Sequence, residues 1–102
     1  MTKTTQKTDG GICRRRYVFH GRVQGVGFRW RAMQAAKLYR LTGWVRNDWE
    51  GTVTMELQGE ELLLDKTVRT LESSRYIHIT RIEQTELPPD PEERSFRTDY
   101  DW

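Results

Sequence analysis

Residues 21–29 read Gly-Arg-Val-Gln-Gly-Val-Gly-Phe-Arg. They place three glycines within seven residues, between a β-like run (Tyr17, Val18, Phe19, His20) and a helix-like run that starts near Phe28. Glycine loses more conformational freedom on folding than any other residue, so a cluster of it is useful chiefly where the backbone turns sharply or something must approach it closely. A loop whose N–H groups converge just ahead of a helix N-terminus is a ready anion site. Arg29 falls in or beside the first helical turn, where the helix dipole disfavours a cation. An anion held between the loop and that guanidinium reverses the penalty. The segment therefore demands a strand–loop–helix unit and reads as a phosphate cradle with its own counter-charge.

The rest of the chain supplies elements around this unit. Residues 14–20 form the opening strand, with Tyr17 and Phe19 on one face by period-two alternation. Residues 28–41 are rich in Ala, Met, Gln, Lys and Leu with no Pro or Gly inside, which predicts a helix. Its buried stripe is Phe28, Ala32, Ala36 and Tyr39, flanked by Ala35 and Leu41. Residues 44–49 and 52–57 make a hairpin turned by Asp48-Trp49-Glu50-Gly51, with Val53, Met55 and Leu57 on the buried face. Residues 60–73 form a second helix, acidic at its start as the dipole prefers, with Leu64, Val68 and Leu71 inward. Residues 76–87 return as strand, where the opposite parity of Ile77/Ile79 and Ile82 predicts a bulge or a late strand start. After a Pro-Pro-Asp-Pro loop, residues 96–100 alternate as a short final strand. The order β-α-β-β-α-β plus a terminal strand predicts an α+β, ferredoxin-like split β-α-β sandwich, an antiparallel sheet with both helices on one face.

With 102 residues there is room for one domain with a two-layer core. Residues 1–12 have almost nothing apolar to bury and read as a disordered tail, leaving 13–102 as the single domain. No apolar run approaches a membrane span or a secretory signal. A lone cysteine, Cys13, cannot close an internal disulfide, which places the expectation in a reducing, cytoplasmic setting. Net charge is +2, but residues 1–50 hold eleven Lys/Arg against three Asp/Glu, a net +8, and residues 51–102 hold six against twelve, a net −6. The basic half contains the glycine loop, which favours an anionic ligand there.

Asn47, near the end of the second strand, is the second candidate: a neutral amide can orient a water and hydrogen-bond a phosphoryl oxygen without adding charge. An isolated Asn at that place would otherwise be an Asx-type turn residue. His20 and His78 read as strand residues. Cys13 has no histidine partner nearby in sequence. Trp30, Trp44 and Trp49 could stack on a ligand, although packing is the commoner role of tryptophan. Arg14-Arg15-Arg16 reads as a solvated sheet edge.

Residues 21–29, then Gly43-Trp44-Val45-Arg46-Asn47 and Gly51-Thr52-Val53, together resemble the acylphosphatase family; the similarity is close over residues 17–59 and looser in the final strand. The resemblance implies hydrolysis of acyl phosphates to carboxylate and inorganic phosphate. It implies that the backbone N–H groups of Val23, Gln24, Gly25, Val26, Gly27 and Phe28 hold the phosphoryl group with Arg29, while Asn47 places the attacking water. The implied enzyme has no cofactor or metal, acts as a free-standing monomer on a small acyl phosphate, and has no nucleic-acid or membrane partner. Three positions depart from the family pattern: Arg40 replaces a helix-ending glycine, Asp48 follows Asn47, and Glu50 replaces the usual Asp in the turn. A carboxylate at 48 weakens a bound phosphate unless it points into solvent. The alternatives are a carbamoyl-phosphate-preferring site, as in acylphosphatase-like domains of larger carbamoyltransferases, and an RNA-binding module of the same element order. The second alternative lacks aromatic residues on the 52–57 strand.

Overall fold

The computed structural model describes residues 11–100, Tyr100 by its backbone. Seven elements follow one another: β1 (Ile12–Arg22), α1 (Phe28–Tyr39), β2 (Thr42–Asn47), β3 (Val53–Glu60), α2 (Glu61–Glu72), β4 (His78–Leu87) and β5 (Phe96–Tyr100). One five-stranded sheet runs in the order β4-β1-β3-β2-β5. The expected tail lies, for residues 1–10, outside the described residues; β1 opens at Ile12, two residues ahead of the sequence expectation.

All neighbouring pairs are antiparallel except β2 and β5, which run parallel with Gly43 opposite Phe96 and Val45 opposite Thr98. The sheet is therefore mixed, a correction to the antiparallel expectation. The reason is the route of the chain. After β4 at one edge, residues 88–95 cross to the other edge, tethered on the way by Gln58, whose side chain accepts from Asp90 N and donates to Asp90 O.

Alternation along β1 and β3 builds the core. Tyr17, Phe19, Val53, Met55 and Leu57 face the helices and are buried with Phe28, Ala32, Ala36, Leu64 and Leu71 in one cluster. The Phe19 and Phe28 rings meet at 4.8 Å in a tilted arrangement, locking the start of α1 onto β1. In α2 the buried set is Leu64, Thr67 and Leu71. Thr67 can be buried because its hydroxyl donates to the Leu63 carbonyl one turn back. The parity break in β4 is a bulge: His20 faces Arg81 and Gly21 faces Ile79, leaving Thr80 as the extra residue.

The arginine run is not a solvated edge. β1 lies between β4 and β3, so Arg14 and Arg15 are buried and ion-paired on opposite faces. Arg15 shares the helix-facing side with Tyr17 and binds Glu61 and Asp65 of α2 and Glu86 of β4. Arg14 points to the open face, where it bonds Glu56 of β3 at 2.8 Å and Glu93 of the crossing loop at 2.7 Å; Arg16 shares Glu56. The hydrogen bond it donates to Glu93 holds the Arg14 guanidinium above its ordinary pKa against the opposing effect of burial. This network roofs β3 at Glu56, which is buried, and Thr54 on the same face is buried with its hydroxyl donating to Asp48. Removing one partner of such a buried set leaves a charge without its counterpart.

α1 ends in a Schellman motif: Leu41 N–H donates to Ala36 O at 2.8 Å, and Arg40 N–H donates to Lys37 O at 3.4 Å. Arg40 occupies the left-handed position with φ 59°, ψ 41°, a conformation that costs a side-chain-bearing residue about 1–2 kcal/mol. Arg40→Gly is expected to raise stability by about 1 kcal/mol, the relief of strain being partly offset by the freer unfolded chain; urea midpoints of the two proteins check this. A second expectation concerns Tyr17, whose hydroxyl is buried with no hydrogen-bond partner among the described residues. Burial pushes this phenol from 10.0 up to about 12, with the Arg15 guanidinium pulling the other way. The fold thus favours the neutral phenol, and the stability it contributes is intact below the unfolded pKa and lost as pH rises from 10.0 to about 12. Tyr17→Phe should match or exceed the parent at neutral pH and gain on it steadily through that window, as read from paired denaturation curves.

Candidate active site

The sheet order decides where the site forms. β1 and β2 each pair antiparallel with β3 between them, so they run in the same direction and end at the same edge of the sheet. β5, parallel to β2, runs that way too. The glycine loop leaves the end of β1, and Asn47 is the last residue of β2. Residues far apart in sequence therefore meet at one end of the molecule.

There a cavity of about 300 Å³ is lined by Val23, Gly25, Gly27, Phe28, Arg29, Trp30, Met33, Asn47 and Thr98. Gly25 and Gly27 adopt φ 74° and 82°, left-handed values that explain why the loop needs glycine at both places. Gly27 caps α1 without a side chain, its carbonyl accepting from Arg31 N–H at 3.0 Å. The first turn carries no acidic residue. The N-terminal end of α1 thus keeps its positive partial charge and has Arg29 added to it, an arrangement suited to an anion.

Six of the eight sequence-predicted site residues line this cavity: Val23, Gly25, Gly27, Phe28, Arg29 and Asn47. Gln24 and Val26 are placed differently. Val26 packs half-buried against the core. The Gln24 side chain turns to the β2–β3 hairpin, its Nε2 donating to Asp48 O at 2.7 Å and Thr52 O at 2.9 Å. This stitches the loop of one candidate group to the turn that follows the other.

Asp48 does not point into solvent, as the sequence reading required of a harmless carboxylate; it is 7% exposed. Its Oδ1 accepts from Arg46 Nε at 3.0 Å, and its Oδ2 accepts from Thr52 Oγ1 at 2.8 Å and Thr54 Oγ1 at 2.6 Å. The carboxylate is spent on bracing the hairpin and its charge is matched by Arg46, so it does not act as a free negative charge beside the cavity. Thr98 is a lining residue that sequence reasoning missed. No local signal could have found it, since it reaches the cavity only through the parallel pairing of β5 with β2.

The other singled-out residues lie elsewhere. His20 Nε2 sits 2.6 Å from Glu83 on the neighbouring strand. Cys13 lies half-buried in β1 opposite Gly59. Trp44 is covered by the Arg46 guanidinium at 5.1 Å from its ring centre, and Trp49 stands 80% exposed beyond the hairpin strands. Among the described residues no helix is long and apolar enough to cross a membrane.

Comparison with known proteins gives one answer. The family model described as Acylphosphatase matches residues 15–98. An acylphosphatase of Geobacillus thermodenitrificans is 42% identical over 86 residues, which cover 81% of this chain and 89% of that protein. The crystal structure of acylphosphatase from Bacillus subtilis superposes with a TM-score of 0.80 at 32% identity, covering 86% of this chain and 99% of that one. A crystal structure of full-length HypF in a phosphate- and nucleotide-bound form matches at TM-score 0.78 and 28% identity, over 88% of this chain and 12% of that longer one. A family match that takes in both helices and the cavity-lining loop, joined to close relatives along most of the chain, makes this protein a member of the acylphosphatase family, an acyl phosphate hydrolase.

Proposed function

We propose that the phosphoryl group of the acyl phosphate is held by the backbone N–H groups of residues 23–28 and by the Arg29 guanidinium, and that Asn47 orients the attacking water. The observation that supports this most is the convergence of Gly25, Gly27, Arg29 and Asn47 on one cavity. Water attacks phosphorus, the bond from phosphorus to the carboxyl oxygen breaks, and that oxygen keeps the electron pair. The proton lost by the water goes to the phosphate product or to solvent.

So sparse a set of groups is enough for this chemistry. Phosphoryl transfer asks mainly for positioning and for stabilisation of charge on the equatorial oxygens. A planar guanidinium can bind two of those oxygens at once, which an ammonium cannot. The leaving group is a carboxylate whose conjugate acid has a pKa of roughly 4, so it departs without a general acid and without a metal to neutralise it. Gln24 serves as a positioning residue, fixing the phosphate loop against the turn beside Asn47. The domain acts in the cytoplasm as a monomer, the cytoplasmic setting being supported by a single cysteine, which cannot close an internal disulfide.

RNA binding is the weaker reading. By the strand register, β1 and β3 present Arg14, Arg16, Val18, His20, Thr54, Glu56 and Gln58 to the open face, without Phe, Tyr or Trp among them, and Trp44 of β2 on that face is covered by the Arg46 guanidinium.

Arg29→Ala should lower kcat/KM by about 10²–10³-fold and weaken competitive inhibition by inorganic phosphate to a similar degree. Asn47→Ala should lower kcat by about 10²-fold with a much smaller change in the phosphate inhibition constant. Steady-state assays on benzoyl phosphate measure both, and equal inhibition by phosphate in the two variants would refute the division of roles. EDTA should leave the parent rate unchanged. Gln24→Ala, which cuts the tether, should be milder than either variant, with kcat down about tenfold.

A further inference from the structure

The cavity holds more apolar surface than a phosphoryl group can use. Glycine backbone, Arg29 and Asn47 account for the phosphoryl end; Val23, Phe28, Trp30 and Met33 remain. Val23 and Phe28 belong to the core at 1% and 2% exposure, so they are its floor. Met33 is half-buried, whereas Trp30 is 63% exposed. An indole left that open forgoes most of the stabilisation that its burial could give the fold.

The helix geometry explains why these two side chains form one wall. Measured from Phe28 on the buried stripe, at roughly 100° per residue, Arg29 projects at about 100°, Met33 at about 140° and Trp30 at about 200°. The three make a continuous edge of the first turns of α1, running from the guanidinium outward to the indole. On the far side of Trp30, the Arg31 guanidinium lies over the Tyr76 ring at 5.9 Å, engaged with the β4 side of the molecule. A substrate whose phosphoryl group sits at Arg29 must direct its acyl substituent out of the loop, and the Met33–Trp30 edge is the apolar surface adjoining that position.

We infer that Trp30, with Met33 beneath it, is the specificity wall for the acyl group and selects acyl phosphates with an aromatic or extended apolar substituent over those with a small one. This rests on the assignment of the phosphoryl end to Arg29 and the loop. The flat indole face suits an aromatic acyl group, which it can stack against, and a thioether at its base adapts to irregular apolar shapes. The polar amide of carbamoyl phosphate gains nothing from such a wall, so the inference also ranks that substrate low.

The test is a substrate pair. Benzoyl phosphate and acetyl phosphate share the phosphoryl end and the carboxylate leaving group and differ in the acyl substituent. The parent should show the higher kcat/KM on benzoyl phosphate. In Trp30→Ala the benzoyl-to-acetyl ratio of kcat/KM should fall about five- to tenfold, carried by KM for benzoyl phosphate. Trp30→Phe should restore most of the ratio. The exposure of Trp30 makes both variants compatible with folding. A ratio unchanged in Trp30→Ala, in an enzyme that still hydrolyses both compounds with the expected loss in Arg29→Ala, overturns the acyl wall and leaves the phosphoryl assignment standing. Failure of the parent to hydrolyse either compound, or indifference to Arg29→Ala, overturns both.

Discussion

The pairing of β1 and β2 against opposite sides of β3 is the constraint on which the molecule turns. Two strands antiparallel to a common neighbour must run the same way, so their C-terminal ends are brought to one edge. The glycine loop leaves one of those ends and Asn47 stands at the other. Hydrogen bonding in the sheet thereby sets the distance between the glycine loop and the Asn47 amide, and Gln24 reinforces it with two bonds from the loop to the turn. A site built on strand ends and a helix start needs little reorganisation to receive its ligand, which matters for a reaction that depends on positioning.

Charge in this protein is organised by the same sheet. The excess of cations in the first half of the sequence suggests a strongly positive surface, but folding brings that half against the acidic one. Arg14, Arg15 and Arg16 are matched by Glu56, Glu61, Asp65, Glu86 and Glu93, and Arg46 by Asp48. Pairing within and across elements localises what looked like a diffuse field, and the positive end of α1, with Arg29 and no acid in its first turn, keeps its attraction for an anion. The attraction for an anion at that end therefore comes from local geometry rather than from net charge.

Much of the architecture was legible because it is written in short-range chemistry. The strand–loop–helix unit follows from glycines that only a turn can use, the helix from unbroken helix formers, and the β4 bulge from isoleucines out of phase. Arg40 at the end of α1 could be picked out as a residue in glycine's place. The misreadings have a common origin. An arginine triplet reads as solvated until one knows that its strand has neighbours on both sides. Asp48 reads as a liability until Thr52, Thr54 and Arg46 are seen to receive it. The parallel placement of β5, and with it Thr98, depends on which edge an eight-residue crossing loop reaches.

By itself the sequence determined the elements, the position of the glycine loop, and the two side chains, Arg29 and Asn47, that the family resemblance assigns to the chemistry. These rest on backbone conformational preference and on side-chain chemistry, both of which are local. Only the tertiary structure decided which charges are buried and paired, which strands share an edge, and which apolar residues the core leaves uncovered beside the cavity. Such facts depend on distances between residues remote in the chain, and no local preference encodes them.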